Sequence, residues 1–560
     1  MRNLKTVLVL VLALVIASCG SLKLPNPFHV NPSPLVNNGG TVSFTIQDTI
    51  KEKSFPKKME VKLQPYLKYG SDTLNLKPMY LKGEKAAAGQ GDVVAWKTTT
   101  PLVYSTSFKY KPEMQVSELW VKAYTIKKGE ETEVSNVKIA DGIVITSSRV
   151  GHSENMAFAK DGYEKETIVS QNANLYFGYQ KSNYNKGLKL NKDNKAQLDS
   201  LNDFFAKGWK VKSVDINAWA SPEGEQSLNQ KLSDERGATA KKYLERFAKK
   251  NKIDSVDYNV VAKGADYDGF MAALNASDIK DKNKIANVIK SQVTKSQREQ
   301  QIRNMTVIYK EVEDMLSVLR RSEMVISLYE PKLTDAQIAE YATSNPDTLK
   351  INELLYAATM TDDMNVKLAI YKSAIQKNEK CWRAYNNAAA ADMELGNVEE
   401  AAQYLEKANA LKADQGEVDN NLGVLAAWNK DYETAENNYN KASNEGVNTD
   451  HNMGVIKMIK GDYAGAEAAM SDKKCTYNLA LAQLSNGKTD DAVKTLDCSE
   501  KTGEVYYLYA VIGARNNNTD MLYSNLKKAI KENPSYKDEA KKDLEFHNFM
   551  NKAEFQNIVK

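Results

Sequence analysis

Tyr385-Asn386-Asn387-Ala388-Ala389, Asn420-Asn421-Leu422-Gly423, His451-Asn452-Met453-Gly454 and Tyr477-Asn478-Leu479-Ala480 are four versions of one short phrase. Each is followed by a turn, at Gly396-Asn397, Lys430-Asp431, Gly461-Asp462 and Gly487-Lys488. An alanine then falls five residues after the first turn position, at Ala401, Ala435, Ala466 and Ala492. A small residue on one helix facing an alanine on the next lets two antiparallel helices pack closely. The second Asn of the phrase recurs after 34, 31 and 26 residues, so the later repeats are trimmed. Period, turn and small residues agree, which a generic helical bundle would not give. A degenerate fifth unit covers 506–534, and an earlier one, 354–377, precedes the first clear repeat by 34.

This register resembles the tetratricopeptide repeat, and the array is expected to span 333–534. The resemblance implies a superhelix whose first helices line a concave groove. Asn387, Asn421, Asn452 and Asn478 share one position on those helices. A carboxamide offers both a donor and an acceptor, so a row of them can pair with the main chain of an extended peptide without reading its sequence. The same Asn could instead only brace neighbouring repeats. Trp428 and Tyr477 are expected on or near the same face, with Met458 and Tyr507, as apolar anchors or packing residues. The tail 535–560, with Leu544, Phe546, Phe549 and Phe555, reads as a capping helix.

A second stretch, 219–244, reads WASPEGEQSLNQKLSDERGATAKKYL. It resembles the peptidoglycan-reading segment of the OmpA-like domain through Gly224, Asn229, Leu232-Ser233 and Arg236. The resemblance covers 170–330 and implies a β/α sandwich, with Leu319-Arg320-Arg321-Ser322-Glu323 in its final strand. In that family an Asp and an Arg grip the amino acid end of diaminopimelate. Here Ser221 stands at the Asp position, so Arg236, Asn229 and Ser221 form a degenerate site lacking its anion. An unpaired buried charge costs several kcal/mol, so the ligand's ammonium should bind poorly unless Glu223 substitutes. Residues 268–318, helical in pattern, form an insertion where the family has a short helix.

The chain opens with a charged, then apolar, segment ending at Val15-Ile16-Ala17-Ser18-Cys19-Gly20. This resembles a lipobox after a signal peptide, 1–18, too short to be a permanent membrane span. Cys19 would carry the lipids, and 19–40, rich in Pro, Asn and Gly, would be the lipidated tether. Gly20-Ser21 in place of Asp points to the outer membrane, and the absence of an acidic run points to its periplasmic face. Between tether and OmpA-like region, 41–150 alternates apolar and polar residues, as in Met59-Glu60-Val61-Lys62-Leu63, which suggests a β-sandwich. The expected fold is therefore multidomain: β-sandwich, OmpA-like α/β sandwich, all-α tetratricopeptide superhelix.

A formal net charge of +4 over 560 residues, with charges interspersed, gives no sign of a nucleic-acid partner. Cys475 and Cys498 should lie at adjacent ends of one helix pair, either as a disulfide or as two buried thiols; Cys381 is left over. The four His, at 29, 152, 451 and 547, are scattered, and no metal-ligand spacing, nucleophile elbow or P-loop occurs. No catalytic residue, metal or cofactor is expected. The reading is a lipid-anchored scaffold gripping outer-membrane or secretion-complex proteins in its groove. Two alternatives are a peptidoglycan-binding anchor and a surface-exposed lipoprotein of a fimbrial or uptake assembly.

Overall fold

The computed structural model describes residues 22–560 except 27, 87–89, 254–255, 293 and 309. Cys19 and the segment 1–18 lie outside the described residues. The chain divides into two compact units. One is built from the residues up to Lys160 together with Thr361–Lys560, the other from Asp161–Met360.

The first unit begins with strands β1 (Val30–Asn31), β2 (Leu35–Asn38), β3 (Thr41–Ile50), β4 (Glu60–Tyr69), β5 (Asp72–Asn75), β6 (Met79–Gly83), β7 (Asp92–Val94), β8 (Thr100–Lys109), β9 (Ser117–Lys127), β10 (Glu130–Asp141) and β11 (Ile143–Val144). In one sheet β8 runs antiparallel along one edge of β3, β1 and β2 share the other edge, and β11 lies parallel to β2. The other sheet runs β10-β9-β4-β6-β7, with β5 folded back on β4. Alternation puts every second side chain inward. Leu35, Val42, Ile50, Val61, Leu67, Leu119 and Ile143 thus meet in one core drawn from both sheets. The composition of 26–40 suggests a tether, yet these residues include β1 and β2, and Leu35 and Phe28 are buried in the core. Prolines suit short edge strands as well as tethers, so composition alone does not separate the two.

The array follows as helix pairs. They are Trp382–Glu394 with Val398–Leu411, Gly416–Trp428 with Tyr432–Asn444, Asp450–Lys460 with Tyr463–Ala469, Tyr477–Ser485 with Thr489–Cys498, and Gly503–Arg515 with Thr519–Glu532. The turns in the first four pairs use left-handed backbone at Gly396, Lys430, Gly461 and Gly487. Inside each pair the volumes complement each other. Two residues after the ladder Asn stand Ala389, Gly423, Gly454 and Ala480; four after the second helix's alanine stand Leu405, Tyr439, Met470 and Leu496. The two glycines meet the two bulkiest partners. A Cβ on Gly423 would lie 2.6 Å from the Tyr439 ring, and one on Gly454 would lie 2.6 Å from Met470 Cγ.

The tail is two short helices, Tyr536–Ala540 and Ala553–Val559, rather than one capping helix. Between them Asp543 caps a tight turn, accepting the Glu545 N–H, and Phe546 and Phe555 insert into the core of the last repeats. The strand domain is tied to this end of the array. Arg149 donates to Glu539 at 2.6 Å and to Asp543 at 3.0 Å, and its guanidinium lies 4.4 Å over the Tyr507 ring.

The second unit has a four-stranded sheet of β12 (Ile168–Tyr176), β13 (Val211–Ala220), β14 (Tyr258–Ala265) and β15 (Arg321–Tyr329) in the order β12-β15-β13-β14. Helices Lys195–Phe205 and Gln226–Lys250 pack on it through Leu198, Leu201, Phe205, Ala240 and Leu244. The helical stretch 189–205 is interrupted at Asn194, where Asn191 and Asn194 turn their amides to the main chain of β12. Residues 267–319 form four helices with a core of their own, including Phe270, Leu274, Ile285, Ile302 and Leu316. Helices Asp335–Ser344 and Ile351–Ala357, expected to open the array, fall in this unit, so the array begins after Met360.

Glycine to alanine inside a helix ordinarily gains about 1 kcal/mol. At Gly423 the Tyr439 ring leaves no room, and Gly423→Ala should instead cost about 1–3 kcal/mol. Urea unfolding of the variant checks this; a raised midpoint would show that the ring is not seated against the glycine.

Candidate functional site

Residues 150–160 form no helix or strand. They run extended across the first helices of the repeats, and the ladder asparagines hold their main chain. Asn387 accepts the Ala159 N–H at 2.6 Å and donates to the Ala159 carbonyl at 3.0 Å. Asn421 does the same to Ala157 at 2.7 and 2.8 Å, Asn452 to Asn155 at 2.7 and 3.0 Å, and Asn478 to Gly151 at 2.9 and 2.8 Å. In an extended chain the N–H and C=O of one residue point the same way, so one carboxamide satisfies both. The next residue points away, which is why the first three clamps advance two residues per repeat.

A second row of amides, one residue before the first, reinforces it. Asn386 donates to the Ala157 carbonyl and Asn420 to the Asn155 carbonyl, each at 2.9 Å. The rows are cross-linked: Asn421 donates to Asn386 at 3.1 Å and Asn452 to Asn420 at 2.9 Å. These five Asn and Asn478 are all buried. Reading one conserved-looking column alone misses Asn386 and Asn420, although the doublets Asn386-Asn387 and Asn420-Asn421 carry the signal. In the third repeat this second position is His451, whose Nε2 lies 2.8 Å from the Ser153 carbonyl and 3.0 Å from its Oγ. The third repeat is the most trimmed, with 26 residues between Asn452 and Asn478, and the clamp after it slips. Asn478 reaches Gly151, four residues from the previous clamp, and touches position 153 only through the serine hydroxyl at 2.7 Å.

Side chains of the strap fill the groove between the clamps. The buried Glu154 accepts from Trp428 Nε1 at 3.1 Å. Phe158 packs on Tyr371, and the Lys367 ammonium lies over the Phe158 ring, 5.5 Å from its centre. Met156 joins the core of the first repeats, and Arg383 donates to the Lys160 carbonyl at 3.0 Å. Tyr477 packs with Val150 and the last repeats, beside Gly151, and burial pushes its hydroxyl well above the usual range. Met458 and Trp428 line a chamber of about 630 Å³ between strap, array and strand domain. Tyr507 donates to the buried Asp543 at 2.9 Å. The groove is thus filled by the chain itself, and this corrects the expectation of a groove open to a partner. The strap's sequence does carry a trace: small residues at 151, 153, 157 and 159 alternate with His152, Glu154, Met156 and Phe158.

Cys475 and Cys498 form a disulfide across the fourth repeat, and Cys381 is a buried free thiol.

In the second unit Arg236 is 1% exposed, and among the described residues it forms no ion pair with a carboxylate. Its Nε donates to the Lys181 carbonyl at 3.0 Å and Nη1 to the Trp219 carbonyl at 2.9 Å, while Nη2 makes a longer contact to Gly178 O at 3.4 Å. Burial and the nearby Arg320 lower its pKa to about 10. Ser221 and Glu223 turn to Arg320 instead. Ser221 accepts from Arg320 Nε at 3.1 Å and donates to Glu223 at 2.6 Å, and Arg320 reaches Glu223 at 3.0 Å. Asn229 braces the loop by donating to the Gly224 carbonyl at 2.7 Å. Two helices of the 267–319 segment close over this loop. Arg303 donates twice to the Glu223 carbonyl at 3.0 and 3.1 Å, and Glu313 takes the remaining reach of Arg320 at 2.8 Å.

No protein-family model matches the chain, and no curated protein matches it. Among solved structures, a tetratricopeptide repeat protein from Parabacteroides merdae is similar over 44% of this chain and 98% of its own, at 17% identity and a TM-score of 0.29. PilW, a type IV pilus biogenesis factor, matches over 40% of this chain and 99% of its own at 16% identity and a TM-score of 0.27. PilF of Pseudomonas aeruginosa covers 40% and 97% at 14% identity and 0.27. Likeness at this level carries no inference about partners, and the array rests on its own helix pairs and turns.

Asn421→Ala strips partners from the Ala157 N–H and from Asn386, and should cost about 2–4 kcal/mol. Asn444→Ala, exposed on the same array, should change stability by less than about 0.5 kcal/mol. Equal effects in denaturant unfolding would mean that the strap is not clamped. Reducing Cys475–Cys498, which are 23 residues apart, should cost about 3 kcal/mol, read as a lowered melting temperature in dithiothreitol that Cys475→Ser/Cys498→Ser reproduces.

Proposed function

We propose that the protein is a lipid-anchored scaffold of the outer membrane, facing the periplasm, in which the groove is used in cis. The self-occupied asparagine ladder carries this reading. It makes the strand domain, the strap and the array one body, and it leaves partner binding to surfaces outside the groove. Cys19 is the proposed lipid attachment point, supported by the lipobox-like sequence around it. The second unit is proposed to be OmpA-like. The motif residues of 219–244 and the Arg320-Arg321 strand support this, together with a sheet carrying two packed helices. Its partners are outer-membrane or secretion-complex proteins, held without catalysis or cofactor.

The cell-wall alternative is disfavoured by the same site. Arg236 spends its donors on main-chain carbonyls, Glu223 is taken by Arg320, and Arg303 lies over the loop. A stem-peptide ligand would have to displace all three arrangements.

Labelled palmitate should enter the wild-type protein in Gram-negative cells and not the Cys19→Ser variant; labelling of neither removes the anchor. Crosslinking and affinity purification from membranes should recover reproducible protein partners, and recovery of the chain alone would sink the scaffold. Purified mature protein should stay in the supernatant when insoluble peptidoglycan is sedimented. Co-sedimentation would restore the cell-wall reading.

A further inference from the structure

Ser153 is the weakest point of the strap. The clamps on either side, at Gly151 and Asn155, are four residues apart, where the trimmed third repeat separates Asn452 from Asn478 by only 26 residues. The Ser153 main chain is held by the imidazole of His451, where the two preceding repeats use Asn386 and Asn420. A carbonyl can only accept, so the 2.8 Å contact requires the proton on Nε2. Nδ1 is then bare. It is buried, with no hydrogen-bond partner among the described residues. The ring borders a cavity of about 230 Å³ lined by Asn155, Asn448, Asp450, Met470, Asp472 and Lys473.

We propose that His451 is the catch of the strap: protonating its imidazole in mild acid releases the stretch around Ser153 and opens the groove from that end. The inference rests on the reading of 150–160 as the groove's own ligand. An added proton must sit on Nδ1, where no acceptor meets it. The charged groups facing the ring are Lys473, which opposes the new charge, and Glu154, which favours it; Asp450 and Asp472 line the adjoining cavity. Glu154 is committed to Trp428, and Lys473 to the Asn155 side chain at 2.5 Å. Burial, then Lys473, hold the imidazole below its ordinary value, against the Ser153 hydrogen bond and Glu154. The sign follows. The seated state prefers the neutral ring, while a released ring titrates near 6.5. The hold is therefore complete above about pH 6.5 and weakens as pH falls from there towards the depressed value of the seated state. An asparagine, as in the other two repeats, has no such dependence.

The strap can be watched from His152, which is exposed and stands edge-on to Trp428 with ring centres 6.3 Å apart. A bimane attached to His152→Cys in the full chain should be quenched by Trp428 while the strap is seated, and the substitution removes the other nearby imidazole. Quenching should be lost between pH 7.5 and 5 in this protein and retained in the His451→Asn background, or in His451→Gln should the first variant fold poorly. The same pH profile with and without His451, or full quenching at every pH, overturns the catch. A label unquenched at every pH would instead show that the strap is not in the groove, which removes the underlying reading as well.

Discussion

One carboxamide spanning the N–H and C=O of a single extended residue is the interaction on which the first unit depends. Four such pairs hold Gly151, Asn155, Ala157 and Ala159, with Asn386 and Asn420 doubling two of the carbonyls. Neither side can be removed cheaply. Without the strap, several buried amides lose their partners; without the ladder, the strap's main chain would be buried and unpaired. Leaving such groups unsatisfied costs about 1–3 kcal/mol each. The array and its ligand are therefore parts of one fold, and the concave face is as much core as surface.

The clamp also constrains assembly. Its partners are separated by 228 residues at Asn387 and by 327 at Asn478, with the whole second unit between them in the chain. Contacts this distant in sequence form late, because the closure entropy comes before the contact rewards it. The repeats have local turns and complementary pairs such as Gly423 with Tyr439, so each can form early by itself. The strap is made first and waits; the helices that hold it arrive last.

This difference in range explains what the sequence discloses. Helix pairs, turns and the ladder column are visible at 385–492 because repeats of 34, 31 and 26 residues restate the same local physics. The strap is a strand with no strand partner, so 150–160 offers only an alternation of small and large residues. That a serine stands at 221, where the OmpA-like resemblance implies an aspartate, is plain in the sequence. The new pairing of Ser221 and Glu223 with Arg320 is not, because it depends on where the 267–319 helices come to rest. Single buried residues, such as Leu35 in a proline-rich stretch, are likewise invisible to composition.

Both places that a family resemblance singles out for an outside ligand are filled from within, and by the same means. In the groove, main-chain groups of 150–160 saturate the asparagines. In the second unit, main-chain carbonyls of Gly178, Lys181 and Trp219 face Arg236, and Arg303 closes the loop at Glu223. The asparagines and Arg236 make their hydrogen bonds internally. An internal ligand competes without having to associate from solution, so a free peptide of equal intrinsic affinity is at a disadvantage in the groove. Binding in trans then requires either a surface other than the groove or a way of weakening the internal ligand, and the one clamp position not held by an amide is the imidazole at 451.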